Sequence, residues 1–229
     1  AVVCSTFFGA VLAALIERIA YQPLLDKGVK RIYLLIAGLG ISIIGENLIV
    51  VMIDGRFHAY KTSLSAMPVS ILGASIGVVD LIILVASAIA LLIVQFLIRK
   101  TRVGLAIRGA AFDLTTASIM GINVRQLILI VFIIAGSMAG LSGVFLGIKY
   151  TAYPTMGNLT NKAFISAVVG GLGSMPGAVV GALLLGVLET MTSAYVSSAL
   201  RNLFAYALLI VILLIKPTGL MGKSMEDKA

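Results

Sequence analysis

Five stretches of this chain, at 1–16, 32–53, 77–98, 127–148 and 203–215, run long and apolar with almost no charge. A hydrocarbon core about 30 Å thick needs roughly 20 apolar residues of helix, because only a helix satisfies its own backbone hydrogen bonds in lipid. Composition agrees: 60% of the 229 residues are hydrophobic and only 11% charged, with a mean hydropathy of +1.14. A water-soluble fold covers itself with about 25% charged residues, so the solvent around this one is expected to be a bilayer. The expected fold class is an all-α integral membrane protein, a polytopic helical bundle crossing the membrane several times. The last run is short, but 197–202 supply a helical turn at the interface.

The run 163–187 is also apolar but is interrupted by Gly170, Gly171, Gly173, Pro176 and Gly177. Glycines admit non-helical dihedrals and proline removes a donor, and backbone freed at membrane depth must be buried in protein or line a wet cavity. One reading is a re-entrant segment whose break borders a transport path. The other is a kinked helix packed through small residues.

Basic residues fall between the apolar runs, where they read as topology signals rather than as a nucleic-acid surface, despite the formal charge of +8. Arg18, Lys27, Lys30, Arg31, Arg99, Lys100, Arg102, Arg108, Arg125, Lys216, Lys223 and Lys228 share one face if the broken segment enters and leaves on the same side. Arg56, Lys61, Lys149, Lys162 and Arg201 lie on the other. Twelve against five assigns the first face to the cytoplasm. The run at 1–16 has no charged segment before it, which is not the pattern of a signal peptide, and a further N-terminal portion is expected upstream.

No catalytic constellation is visible. His58 is the only histidine and falls in an expected outer loop, Cys4 is the only cysteine, and no Walker motif occurs. These exclude a His-based metal site, a Ser-His-Asp triad, a disulfide and a nucleotide site within the chain. Neither enzyme nor cofactor is expected. Three carboxylates fall in or near apolar runs, where an ion costs a few kcal/mol. Glu46, beside Asn47, is deepest, either as a group on the path or as a polar pair inside the bundle. Asp80 and Glu189 read as solvated helix ends.

The loop 99–126 is the most specific stretch. Leu105, Phe112, Ile119 and Ile122 recur at helical intervals, Arg108 and Asp113 bring charge, and Gly104 and Gly121 punctuate the ends. This reads as short amphipathic helices, either docking a partner through close-approaching small residues or lying at the headgroups. The elements Gly104-x-x-x-Arg108, Ala110-x-x-Asp113-Leu114, Ala117-Ser118 and Gly121-Ile122-Asn123 resemble the coupling region of permeases of the branched-chain amino-acid ABC importer family, of the leucine/isoleucine/valine type. The runs at 17–24, 135–143, 162–164, 170–178 and 216–222 are similar to that family's signatures in the expected order, and 54–76 is the least distinctive part.

The resemblance implies a single permease domain over 1–229 that forms half of a translocation pathway in a bacterial or archaeal cytoplasmic membrane. It implies two ATP-binding cassette subunits docking on Gly104, Arg108, Asp113, Leu114, Ala117, Gly121, Ile122 and Asn123. A second permease subunit and an extracytoplasmic substrate-binding protein would complete the importer. Substrate would pass beside the break at 170–177, and glycine faces at Gly136, Gly140, Gly143, Gly181 and Gly186 would let helices slide. Related permeases serve other amino acids and short amides such as urea. An ion-coupled transporter or channel using Glu46 is the reading of another class.

Overall fold

The computed structural model describes residues 2–27, 29, 31–53, 68–71 and 74–222. Lys30, Arg56, His58, Lys61, Lys223 and Lys228 lie outside the described residues. Ten α-helices are described: α1 Val2–Ile16, α2 Gln22–Asp26, α3 Arg31–Ile53, α4 Val78–Lys100, α5 Arg102–Phe112, α6 Leu114–Ile119, α7 Val124–Tyr150, α8 Asn158–Gly170, α9 Met175–Tyr195 and α10 Arg201–Ile215. A π-helical turn, Glu17–Tyr21, joins α1 to α2. The described strands are two, β1 Pro68–Ile71 and β2 Ala74–Gly77, which pair antiparallel. Six helical segments are long and apolar enough to cross a bilayer: Val2–Asp26, Ile32–Met52, Val78–Lys100, Val124–Tyr150, Met175–Tyr195 and Ser198–Ile215. The all-α polytopic class read from the sequence is the observed one, with the β1–β2 hairpin as a small addition.

The chain divides into two compact units, Ala1–Pro154 and Thr155–Ala229. In the first, α1 packs antiparallel along α7. A Cβ on Gly9 would strike the Gly136 carbonyl, and one on Gly140 would strike that of Ser5. The two backbones therefore touch, the close approach that small residues permit in membranes, where dispersion rather than hydrophobic exclusion joins helices. Ser5 Oγ donates to Gly140 O at 2.8 Å, and Arg125 at the start of α7 pairs with Asp26 at the end of α2 at 2.7 Å. Gly143 faces open space. At the other end of α7, Lys149 lies 2.7 Å from Asp80 in the first turn of α4. The segments around 26 and 101–125 thus share one end of this unit, and Lys149 lies at the opposite end, as the charge placement predicted for these residues. One boundary differs. Arg18 was expected in a loop but sits in the π-turn, inside a helical segment that continues to Asp26.

In the second unit, α8 and α9 run antiparallel and α10 packs on both. Its core is Ile165, Val169, Leu185 and Ala205, with Leu208, Leu209, Ile212 and Leu220 against it. The broken run resolves into this hairpin. The turn proper is 171–174, narrower than the expected break, because Ser174 caps α9 by accepting from the Gly177 amide at 3.2 Å and Pro176 stands in the first turn of that helix. Proline suits that place, since its missing N–H would have no partner there. Gly171 and Gly173 take φ of 110° and 89°, conformations that side chains with a Cβ rarely adopt.

Candidate functional site

The element at 101–126 is built by capping. Thr101 starts α5: its Oγ1 accepts from the Gly104 amide at 3.1 Å and donates to Leu97 O at 2.5 Å. A Cβ on Gly104 would run into the Ile98 carbonyl, so the reversal from α4 into α5 requires a residue without one. Asp113 separates α5 from α6. Extended at φ −155°, ψ 119°, it accepts from the Thr115 amide at 2.9 Å and from the Thr116 hydroxyl at 2.5 Å. Those hydrogen bonds, the Thr116 hydroxyl first, hold its carboxyl below the usual carboxylate range. The end of α6 is a Schellman motif. Gly121, at φ 83°, donates to Ser118 O and Ile122 donates to Ala117 O, both at 3.1 Å. Asn123 then caps α7 through its Oδ1, which accepts from the Gln126 amide at 3.2 Å.

Packing sorts the apolar residues by size. Ala110, Ala117 and Leu127 form a buried cluster, with Ala106, Ile107 and Ile122 against it. Leu105, Phe112, Leu114, Ile119 and Met120 are exposed, Ile119 at 81%. The small residues expected to let a partner approach are thus used inside the chain, and the large ones are left outside. Of the residues carried over from the resemblance, Arg108, Asp113, Leu114, Gly121 and Asn123 are exposed, Ile122 is half-buried, and Gly104 and Ala117 are buried. Arg108, expected to orient a partner, donates through Nη1 to the Ile98 carbonyl and so also pins α5 to α4. Beside it lies a cavity of about 580 Å³ lined by Leu105, Ala106, Arg108, Gly109, Phe112 and Ile122.

The residues of the expected path fall in two separate settings. Glu46 is half-buried on α3, beside Asn47, whose Nδ2 donates to Ile43 O at 2.8 Å, and it makes no ion pair among the described residues. Gly170, Gly171 and Gly177 are buried, whereas Gly173 and Pro176 are exposed near the turn. A Cβ on Gly177 would strike Gly170 O, and one on Gly171 would strike the Gly222 amide. The latter contact comes from the tail, residues 216–222, which folds back on the turn. Leu220 N–H donates to Val169 O and Met221 N–H to Gly170 O, both at 2.9 Å, so the last carbonyls of α8 find partners in the tail. Gly181 also meets α8, at Ser166 O, while Gly186 faces open space.

The helix-end carboxylates are paired rather than merely solvated. Asp80 has Lys149, and Glu189 has Lys162 at 2.7 Å, in ion-pair contact though outside hydrogen-bond geometry. The Glu189 side chain is only 17% exposed, so its lysine offsets much of the cost of taking a charge out of water. One carboxylate escaped the reading of the sequence. Glu17, in the π-turn, is 2% exposed and its Oε1 has no hydrogen-bond partner. A signal was present, a glutamate in the middle of what is one continuous 25-residue span, but hydropathy ended that span at 16.

Among the described residues, six helices of spanning length with a capped amphipathic element outside them define a multi-pass membrane protein. The family model described as branched-chain amino acid transport system / permease component matches residues 1–213. The high-affinity branched-chain amino acid transport system permease protein LivH of Salmonella typhimurium is 36% identical over 99% of this chain and 76% of its own length. The corresponding permease protein BraD of Pseudomonas aeruginosa is 35% identical over 93% of the chain and 71% of its length. A probable branched-chain amino acid transport permease protein LivH of Methanocaldococcus jannaschii is 26% identical over 94% and 72%. The chain belongs to this permease family. No solved structure matches it.

Proposed function

We propose that this chain is the permease subunit of an ATP-driven importer of branched-chain amino acids, leucine, isoleucine and valine, in the cytoplasmic membrane. Both compact units belong to one permease domain, which supplies half of the translocation pathway. A second permease subunit supplies the other half, a substrate-binding protein delivers cargo from outside, and two ATPase subunits dock on α5–α6. The single observation that carries the reading is the likeness over nearly the whole chain to proteins named for branched-chain amino-acid transport. The outward-facing Leu105, Ile119 and Met120 support the docking part, since apolar side chains so arranged beyond the spans favour a partner surface.

In this mechanism nucleotide-driven closure of the ATPase pair pushes on α5–α6, which Arg108 and the Gly104 contact fix to the end of α4. The push reaches α4 and α7 directly, and the bundle rocks between outward- and inward-facing packings. Two assignments stand separately within the proposal. Substrate passes beside the turn at Gly170, Gly171, Gly173, Pro176 and Gly177, and Glu46 contributes a polar group to the path.

The test is uptake of labelled leucine by proteoliposomes holding the assembled importer with ATP inside. Uptake that needs ATP and the binding protein is the expected result. Uptake driven by an ion gradient without ATP would overturn it in favour of an ion-coupled carrier, and saturation by urea but not leucine would move the substrate class.

A further inference from the structure

The π-turn at Glu17–Tyr21 places one carboxylate where the fold gives it no answer. Glu17 is among the largest fully buried side chains, and its Oε1 has no hydrogen-bond partner. A buried, unpaired carboxylate is strongly unfavourable, so such groups are paired in the working assembly. Single π-turns inside α-helices occur frequently at functional sites. This one opens a cavity of about 400 Å³, lined with Glu17 by Gln22, Asn123, Gln126 and Leu129, with Arg18 and Arg125 at its sides. Arg125 is already engaged by Asp26 at 2.7 Å, and Arg18 is exposed and makes no ion pair with its neighbour. Among the described residues no cation pairs with Glu17.

We infer that this cavity is a socket for one lysine or arginine side chain of the ATPase subunit, with Glu17 as its buried acceptor; the inference rests on the importer reading above. Three observations select that occupant. Asn123 belongs at once to the cavity and to the end of the α5–α6 element, so the socket is continuous with the surface assigned to the ATPase. Leu129 lies five residues into α7, so the cavity reaches about 7 Å below the start of that helix, a depth suited to a charge on a long apolar stem. A bare metal ion fits poorly, because no cluster of three metal-binding side chains occurs among the described residues. Gln22, Asn123 and Gln126 offer amide oxygens for the remaining donors of the incoming head group.

The test uses the full permease in lipid nanodiscs and its cognate ATPase subunit. Glu17→Gln keeps the shape and removes the charge. In the isolated permease it should leave the melting temperature unchanged or raise it, because an unanswered charge is gone. In the complex it should weaken ATPase binding by about 30-fold or more, the loss typical of removing one partner from a buried charge pair. Unchanged ATPase affinity overturns the socket. So does a lower melting temperature of the isolated variant, or the same instability in Arg18→Met, because either shows that the carboxylate is already answered within the chain. Charge reversal at Arg108 and Asp113 separates the two proposals. If it releases the ATPase while Glu17→Gln does not, the importer reading stands and the socket falls; if wild-type permease binds no ATPase, both fall.

Discussion

The α5–α6 element and the α8–α9 hairpin are both places where a helix stops and a new one starts, yet they are finished in opposite ways. Between α5 and α6 every cap is local: Asp113, Gly121 and Asn123 satisfy the helix ends within a few residues, and the large apolar side chains are left facing out. At the hairpin Ser174 caps α9 locally, but the last carbonyls of α8 are answered from far along the chain. The tail supplies N–H groups to α8, Val169 is wholly buried, and backbone lies on backbone at Gly170 and Gly177. A locally finished element can keep a free surface for another molecule, whereas a remotely finished one spends its surface on its own fold. Substitutions at the hairpin should therefore register first as lost stability, and those on α5–α6 as lost partnership.

The largest break in that contrast is Gly177→Leu. A side chain there must push α8 from α9, and overpacking of this kind costs about 3 kcal/mol; a permease that melts unchanged in detergent would show that the hairpin opens easily. Removing residues 217–229 comes next. It strips the donors from Val169 and Gly170, and each buried carbonyl left unsatisfied costs about 1–3 kcal/mol, which thermal melting and amide exchange along α8 would register. Gly121→Ala is milder, about 1 kcal/mol for an alanine held at φ 83°, and should appear as faster exchange at Ile122 without global loss.

Asp113 gives a pH signature. Its carboxyl is depressed in the folded chain, so its support for α6 is fully present above the unfolded carboxylate value near 4 and is lost as pH falls through the lower folded value. Amide protection in α6 should weaken with acid in the native chain, and Asp113→Asn should flatten that dependence. Smallest of all on stability is Ile119→Ser, expected within about 0.5 kcal/mol of the native chain because the side chain is already exposed. ATPase co-purification should nonetheless fall, and an intact complex would mean that this face is not the docking surface.

The spans were legible because lipid imposes one rule on every residue of a helix, and a run of hydropathy reads it directly. The end of the first span was not, because Glu17 and Arg18 look like a loop until α7 is known to cover the glutamate. Gly121 and the capping types of Asp113 and Asn123 announced the joints of the loop, since caps are local chemistry. Which face of α5 and α6 turns outward was hidden: Leu105, Phe112 and Ile119 share a heptad spacing that suggests a buried stripe, and only the alanine cluster beneath shows that they point away. The glycines and Pro176 marked the hairpin, but its partner lay roughly fifty residues downstream, a backbone pairing with no side-chain pattern to reveal it.

That distance sets an order of assembly. The carbonyls at the end of α8 emerge from the ribosome long before Leu220 and Met221, a lag of several seconds at about 5–20 residues per second. During that interval the hairpin is an open clasp whose free end must be held by water, lipid headgroups or the insertion machinery. It fastens only when residues 216–222 have been made and α10 has brought them back to the turn, so the second unit is completed from its far end.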